Sequence, residues 1–406
     1  MNPNTMRRID YWIGIPVCLI FSIIYKIERL LGLRNPKIGE KPKNMLFIEL
    51  AEMGSTILAY PSIKKARDMF PNSNIYFLLF RQIKDSMEIL EVVPKQNVFT
   101  IRSSNVFALA YDTLKFICIS RKNKIDTTLN LEAFARFSAI LGFLSGARKM
   151  VGFYRYGQEG LYIGTFLTHK VIYNPHIHTA NSFLALVHAL NSPLEEVPMA
   201  KFSVTNEKLE VPKRHTDRKA TEKIWKILKN ENPDIDEKKK LVIVNPNASK
   251  LISIRKWPLE YYAQMIKKLI LDKDVYVAVT GVESEKPDAQ FICNAVKDKR
   301  VMDLTGKTSL KELVDLYNQG KVLVTNDSGP AHFASLTNIH IFVFFGPETP
   351  KLYRPLSDNC TVIYSDYACS PCVSAFNQRL SPCNNNLCLK SITVDSVYKQ
   401  VREKLN

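Results

Sequence analysis

Asp327, Ser328, Gly329 and His332 fall within the stretch NDSGPAH, between the apolar run KVLVT and the helical pattern FASLTN. Asp327 or Ser328 suits the N-cap of a helix, and Pro330 suits its first turn, where a missing N–H costs nothing. Gly329 permits close backbone approach. With the positive end of a helix dipole, such a turn is suited to phosphate, and Asp327 and His332 add groups that bond sugar hydroxyls or phosphate oxygens. The same residues also describe a capped strand-to-helix turn with no ligand, and on their own they leave both readings standing. A second group is Cys369, Cys372, Cys383 and Cys388, spaced C-x2-C-x10-C-x4-C. Four thiolates there make a structural zinc site, although the spacing is looser than that of common zinc modules; free structural thiols are the alternative. Cys18, Cys118, Cys293 and Cys360 are scattered and read as small buried apolar residues, which is not the pattern of a secreted disulfide scaffold.

Groups like these need strands to hold them. From Asn44 onward, short apolar runs (MLFIEL, IYFLLF, VFTI, IDTTLNL) alternate with helical stretches such as STILAYPSIKKARDMF and FARFSAILGFLSG. That alternation predicts an α/β fold with a parallel sheet covered on both faces. Residues 206–240 are charged and poor in apolar side chains and read as a linker, with Lys238–Lys240 a solvated face. Beyond it LVIVNP, VYVAVTG, KVLVT and IFVFF repeat the pattern. The expected layout is an anchor segment at 1–43, a Rossmann-like domain at 44–205, the linker, a second Rossmann-like domain with the cysteines at 241–391, and a closing helix at 392–406. Two doubly wound domains place a cleft between the carboxyl ends of their strands, where open α/β sheets bind ligands.

The chain has 406 residues, 46% hydrophobic and 23% charged, which excludes wholesale disorder. A formal charge of +17 favours anionic partners: nucleic acid, an anionic lipid surface or phosphorylated substrates. No Arg-rich helix, RNA-binding signature or finger spacing supports nucleic acid. The apolar block Tyr11–Tyr25 is fifteen residues long and interrupted by Pro16, short of the roughly 20 needed for a relaxed span. Eight Lys/Arg against three acids in residues 1–44 suit anionic headgroups. The expectation is a membrane-surface anchor with the body in the cytoplasm; a helix packed on the body, a true span and a signal peptide are the alternatives.

The stretch from Leu304, LTGKTSLKELVDLYNQGKVLVTNDSGPAHFASLTNIHIFVFFGPETPKLYRP, resembles glycosyltransferase family 9, which includes the lipopolysaccharide heptosyltransferases. Its turn Asp327-Ser328-Gly329-Pro330-Ala331-His332 and loop Phe345-Gly346-Pro347-Glu348-Thr349-Pro350 match the family, as do RKWPLEYYAQM at Arg255–Met265 and NMLFIELAEMGSTILAYPSIKKARDMF. The resemblance covers roughly residues 44–400 and implies the GT-B fold, two Rossmann-like domains facing across a cleft. The C-terminal domain would hold the nucleotide-sugar donor and the N-terminal one the acceptor. Asp327, Ser328, Gly329 and His332 would hold the donor's diphosphate and sugar. Lys256 would compensate the charge on the leaving nucleoside diphosphate. Asn247, Ala248 and Ser249 match the phosphate-side loop, and Glu283 an acid that contacts the nucleoside. Read from the residues alone, Glu283 is equally a solvated loop acid, Ser249 a cap, and Trp257 a packing residue. His178 stands where the family often begins a helix with His, as a cap, a core residue or an acceptor contact. The family's chemistry is metal-independent, so no catalytic cofactor is implied.

One departure concerns the acceptor side. The family's glycine turn carries Gly-Asp, with the Asp as general base; here Gly54 is followed by Ser55. A serine needs a base of its own, and Glu52 in the same turn, or Glu49, would supply it. The resulting expectation is a bacterial inverting glycosyltransferase at the cytoplasmic face of the inner membrane, peripheral or monotopic. It would use a nucleotide-diphosphate sugar and a lipopolysaccharide-core or other glycolipid acceptor, without nucleic acid. The competing class is a non-catalytic sugar-nucleotide-binding protein of the same fold.

Overall fold

The computed structural model describes residues 3–34, 40–157 and 159–406. The chain divides into an N-terminal unit, residues 1–209 with Ala375–Gln378, and a C-terminal unit, Glu210–Ser374 with Arg379–Asn406.

The N-terminal unit runs α1 (Pro3–Trp12), α2 (Gly14–Leu30), β1 (Asn44–Ile48), α3 (Met53–Leu58), α4 (Tyr60–Met69), β2 (Asn74–Phe80), α5 (Lys84–Leu90), β3 (Val98–Ile101), α6 (Val106–Lys122), β4 (Thr127–Asn130), α7 (Arg136–Leu144), β5 (Lys149–Tyr154), β6 (His169–Ile172) and α8 (Thr179–His188). Its six strands are parallel, in the order β3-β2-β1-β4-β5-β6. Near-continuous burial of β2 and β4 is the mark of a sheet covered on both faces.

The C-terminal unit runs α9 (Arg218–Glu231), β7 (Lys240–Asn245), α10 (Leu259–Leu269), β8 (Val275–Val279), α11 (Lys286–Val296), β9 (Val301–Asp303), α12 (Leu310–Tyr317), β10 (Val322–Asn326), α13 (Gly329–Ala334), β11 (His340–Phe345), α14 (Pro350–Tyr353), β12 (Cys360–Tyr364), α15 (Leu387–Lys390) and α16 (Val394–Leu405). Its sheet, β12-β11-β10-β7-β8-β9, is parallel throughout and repeats the winding of the first. Both Rossmann-like halves expected from the sequence are therefore present. In each, the winding direction reverses between two central strands, β1 and β4 or β7 and β10. Ligands of open α/β sheets bind at the carboxyl ends of such a pair.

Two segments differ from the sequence-based layout. The charged stretch 206–240 contains α9, started by Asp217, whose side chain accepts the Ala220 amide at 2.8 Å. Only Ile224, Trp225 and Leu228 form its buried face, which is why its composition resembled a linker.

The segment 1–43, expected as a surface anchor, includes a helix that packs on the N-terminal unit. Gly14, Cys18, Ser22 and Tyr25 of α2 are buried, and Phe21 stacks on Phe143 at 4.7 Å. Its other face exposes Ile20, Ile23, Ile27 and Leu30, and Leu31 just past its end is exposed too. Among the described residues no helix is long and apolar enough to cross a membrane. Residues 35–39 of this segment lie outside the described residues.

Candidate active site

In the C-terminal unit, β10 delivers Asn326 and Asp327 to the switch point, beside the loop that follows β7. Asn326 is fully buried and knits the two loops together. Its Nδ2 donates to the carbonyls of Pro246 (2.8 Å) and Asn247 (3.2 Å). Its Oδ1 accepts from the Trp257 amide (2.9 Å) and the Tyr262 hydroxyl (3.2 Å). Burial raises the Tyr262 pKa well above the usual phenol range, so this hydroxyl remains a donor.

Asp327, itself buried, accepts from Arg255 Nη1 at 3.1 Å. Lys256, the expected phosphate cation, is turned to Asp288 in the first turn of α11, at 2.6 Å. The guanidinium largely enclosed at this loop is therefore that of Arg255, a residue assigned no role from the sequence; the adjacent basic pair Arg255-Lys256 was the available signal.

Asn247 lies buried with its Nδ2 on Thr280 O (3.3 Å), and its Oδ1 has no hydrogen-bond partner among the described residues. Gly281 leaves the space this needs: a Cβ there would meet Asn247 Nδ2 at 2.7 Å. Asn245, unremarked in the sequence, donates to Thr280 O at 3.1 Å and braces the same loop.

Ser328 is the N-cap residue of α13 by backbone conformation, yet its Oγ donates to Asn326 O (3.2 Å) and it makes no side-chain cap bond. Gly329 and Pro330 open the helix, and His332 is buried within it. Ser249 is exposed on the outer edge of the β7 loop, beyond the buried Ala248. Glu283 is solvent-exposed, 3.6 Å from Lys286. Trp257 is a packing residue: it has no exposed surface, stacks on Phe344 at 4.6 Å and donates Nε1–H to Ile392 O at 3.1 Å.

The four clustered cysteines are free thiols, and Cys388 is buried. Burial raises the Cys388 pKa, and the nearby Cys372, Cys383 and Cys369 add to it, so the four lie in one neighbourhood. Ser381 Oγ donates to Cys372 Sγ at 3.2 Å. Among the described residues, however, no group of three or more His, Cys, Asp or Glu side chains is placed to hold a metal ion. The zinc expectation is not supported; spacing along the chain brought the thiols near one another without converging them as ligands.

The N-terminal unit has its own switch point. The chain leaves β1 at the buried Glu49 and reaches Glu52, which starts α3 in an extended conformation. Ser55 Oγ donates to Glu52 Oε2 at 3.1 Å, so the serine that replaces the expected acid is bonded to the acid three residues before it. Gly54 lies between them in α3. Glu132, just past β4, accepts the Leu50 amide at 2.9 Å and holds the loop in place, a role with no local signal in the sequence. Asn130 Nδ2, Asn181 Oδ1 and Ser182 Oγ are buried here without hydrogen-bond partners among the described residues. Such groups suit a hydroxyl-rich ligand. His178 caps α8, its Nδ1 accepting the Ala180 amide at 3.2 Å.

Residues 121–380 match the model of glycosyltransferase family 9 (heptosyltransferase). Lipooligosaccharide heptosyltransferase 2 of Campylobacter jejuni is 28% identical over 182 residues, 44% of this chain and 55% of that protein. The chain thus spans about half the length of this relative. Lipopolysaccharide heptosyltransferase 3 of Escherichia coli is 22% identical over 310 residues, 75% of this chain and 83% of that protein. Among solved structures, the E. coli ADP-heptose lps heptosyltransferase II aligns with a TM-score of 0.67 at 17% identity, covering 89% of this chain and 98% of that one. A family 9 glycosyl transferase from Veillonella parvula aligns at 0.68, also at 17% identity, covering 89% and 97%. At such identities the structural likeness establishes the fold.

Proposed function

This chain belongs to glycosyltransferase family 9, the heptosyltransferase family, and on that premise we propose that it transfers a sugar, a heptose first among candidates, from a nucleoside-diphosphate donor to a hydroxyl of a lipopolysaccharide-type or other envelope glycan. An ADP-activated heptose is the donor named for the E. coli structure and the first to test here. The observation that carries the reading is the switch point of the C-terminal unit, where Asn326 locks together two loops that present Arg255, Asp327 and Asn247 Oδ1, which has no hydrogen-bond partner among the described residues.

In the proposed reaction the acceptor oxygen forms a bond to the anomeric carbon as the bond from that carbon to the β-phosphate oxygen breaks, with inversion. The electron pair leaves on the diphosphate. Family chemistry of this kind is metal-independent, so protein cations meet the developing charge. Arg255, aligned by Asp327, is the cation held for that task, and Lys256 joins it on release from Asp288. Glu52 takes the acceptor's proton, its carboxylate held in place by Ser55. The work is placed at the cytoplasmic face of the inner membrane, a reading supported by the exposed apolar face of α2.

The test is transfer from ADP-heptose to a truncated lipopolysaccharide core, followed by mass spectrometry. Glu52→Gln is expected to lower kcat by roughly a hundredfold or more while donor binding stays intact. Full turnover in that variant removes Glu52 as the base. A second reading, a sugar-nucleotide-binding protein without transferase activity, is favoured by Ser55 at the usual acid position. Donor binding with no turnover across a panel of donors and acceptors would establish it.

A further inference from the structure

The amino-terminal edge of the N-terminal sheet, at the far end of its strands from the Glu49–Ser55 loop, holds a pocket of about 280 Å³. Lys41, Arg121, Lys124, Arg148 and Lys149 line it, against two acids, Glu40 and Asp126. Asp126 is spent on the chain itself: it accepts the amides of Lys43 and Asn44, both at 2.9 Å, and the Thr127 hydroxyl at 2.6 Å. Arg121, Lys124, Arg148 and Lys41 form no ion pair among the described residues. Gly146, at φ +85°, lets the Arg121 guanidinium lie directly on the turn that closes the pocket; a Cβ there would meet Arg121 Nε at 2.5 Å.

Arg34 borders the same turn, donating to Ala147 O (3.1 Å) and Phe143 O (2.7 Å). Burial lowers its pKa, Glu28 opposes that, and the neighbouring Arg121 lowers it further, so like charges already press on one another here. An anion entering the pocket relieves that repulsion.

The surroundings indicate which anion. Consecutive right-handed crossovers β3-α6-β4 and β4-α7-β5, running the same way across the sheet, put α6 and α7 on one face. Gly14 of α2 abuts Arg136 at the start of α7, and Arg34 reaches the end of α7, so α2 runs alongside it. Helices α2, α6 and α7 therefore all end at the pocket. Of these, α2 exposes Ile23, Ile27 and Leu30, and α6 exposes Phe107, Tyr111 and Leu114; Leu30 and Phe107 are each 87% exposed. Leu30 lies at the pocket end of α2, whereas Phe107, Tyr111 and Leu114 lie on the first half of α6, so the exposed apolar surface runs along the helices away from the cationic pocket. Such a surface beside a cationic pocket matches a bilayer's interface, where acyl chains lie beneath phosphate headgroups.

We propose that this pocket binds the phosphate of an anionic phospholipid headgroup while the exposed faces of α2 and α6 rest in the interfacial layer of the membrane. The proposal rests on the membrane location above and names the residues that would produce it.

Full-length protein is tested by flotation with phosphatidylcholine vesicles, with and without phosphatidylglycerol. Wild type is expected to float with the anionic vesicles. The combined Arg121→Glu, Lys124→Glu and Arg148→Glu variant is expected to bind them roughly a hundredfold more weakly, with unchanged thermal stability and unchanged transfer to a soluble acceptor. The Leu30→Ser, Leu31→Ser variant is expected to lose binding as well. Equal binding by wild type and the charge-reversal variant overturns the pocket assignment and leaves the membrane location standing. Failure of wild type to bind any vesicle overturns both, and transfer activity in the same preparation keeps the enzymatic reading separate. Saturable binding of glycerol phosphate without any preference for anionic vesicles assigns the pocket to a soluble anion and overturns the lipid. Vesicle-independent self-association through α2 and α6 likewise overturns it.

Discussion

Asn326 uses all four hydrogen-bonding positions of its side chain in a site with no exposed surface: two donors to carbonyls, two lone pairs to an amide and a hydroxyl. An alanine there orphans several buried polar groups at roughly 1–3 kcal/mol each. Asn326→Ala is therefore expected to lower unfolding free energy by about 3 kcal/mol in urea titrations, and to raise the donor KM because both loops at the switch point lose their tie. Loss of stability with an unchanged donor KM would confine Asn326 to a structural role. This residue also marks the limit of sequence reading. The start of α13 at Ser328 and Pro330 is local and so legible, although Ser328 caps by backbone conformation alone, whereas the partners of Asn326 lie 64 to 80 residues away in the chain. Arg255 is hidden in the same way, 72 residues from Asp327. Ser55 shows the reverse: its oddity was legible as a missing acid, and its bond to Glu52 spans only three residues.

Helix α7 carries no cap of its own, since Ala135 at its N-cap has no side-chain acceptor. Asp10, 126 residues earlier, supplies one by accepting the amides of Arg136 (3.1 Å) and Phe137 (2.9 Å), and it pairs with Arg136 Nη1 at 3.0 Å. The Arg136 side chain is buried. Asp10→Ala thus removes a cap and strands a buried guanidinium, with an expected loss of about 3–5 kcal/mol. Asp10→Asn, which restores the cap but not the charge, should fall between the two in denaturant unfolding; identical losses in both variants would mean that the cap contributes nothing. The packing of α2 on the body stood in the sequence only as an alternative to a surface anchor, and its side-chain pattern shows why. Its buried positions, Gly14, Cys18, Ser22 and Tyr25, are small or polar, while its most apolar positions face outward. A rule that sends the apolar face inward reads this helix backwards. The opposite problem concealed α9, whose buried face is only three side chains wide.

At the scale of the whole chain, two sheets of identical winding each place their candidate groups on the loops beside the strand reversal. That much was legible because alternating apolar strands and helices admit few right-handed parallel arrangements. The assignment of Ala375–Gln378 to the N-terminal unit was not, since four residues within a loop of the other half carry no periodic signal. Physically the assignment rests on one ring and on a hydrogen bond from Arg7 Nη2 to Gln378 O at 2.9 Å. Phe376 lies 5.7 Å from Phe134 and 5.5 Å from Tyr173, and Tyr173 is itself edge-on to Phe153 of β5. Two aromatic pairs of this kind contribute about 1–2 kcal/mol. Phe376→Ala should therefore weaken the N-terminal unit locally and leave the C-terminal sheet as it was. Amide hydrogen exchange separates the cases: faster exchange in β5 and β6 with β10 and β11 unchanged is expected. Equal acceleration in both sheets, or none in either, would show that the aromatic cluster is not what holds these four residues to the N-terminal unit.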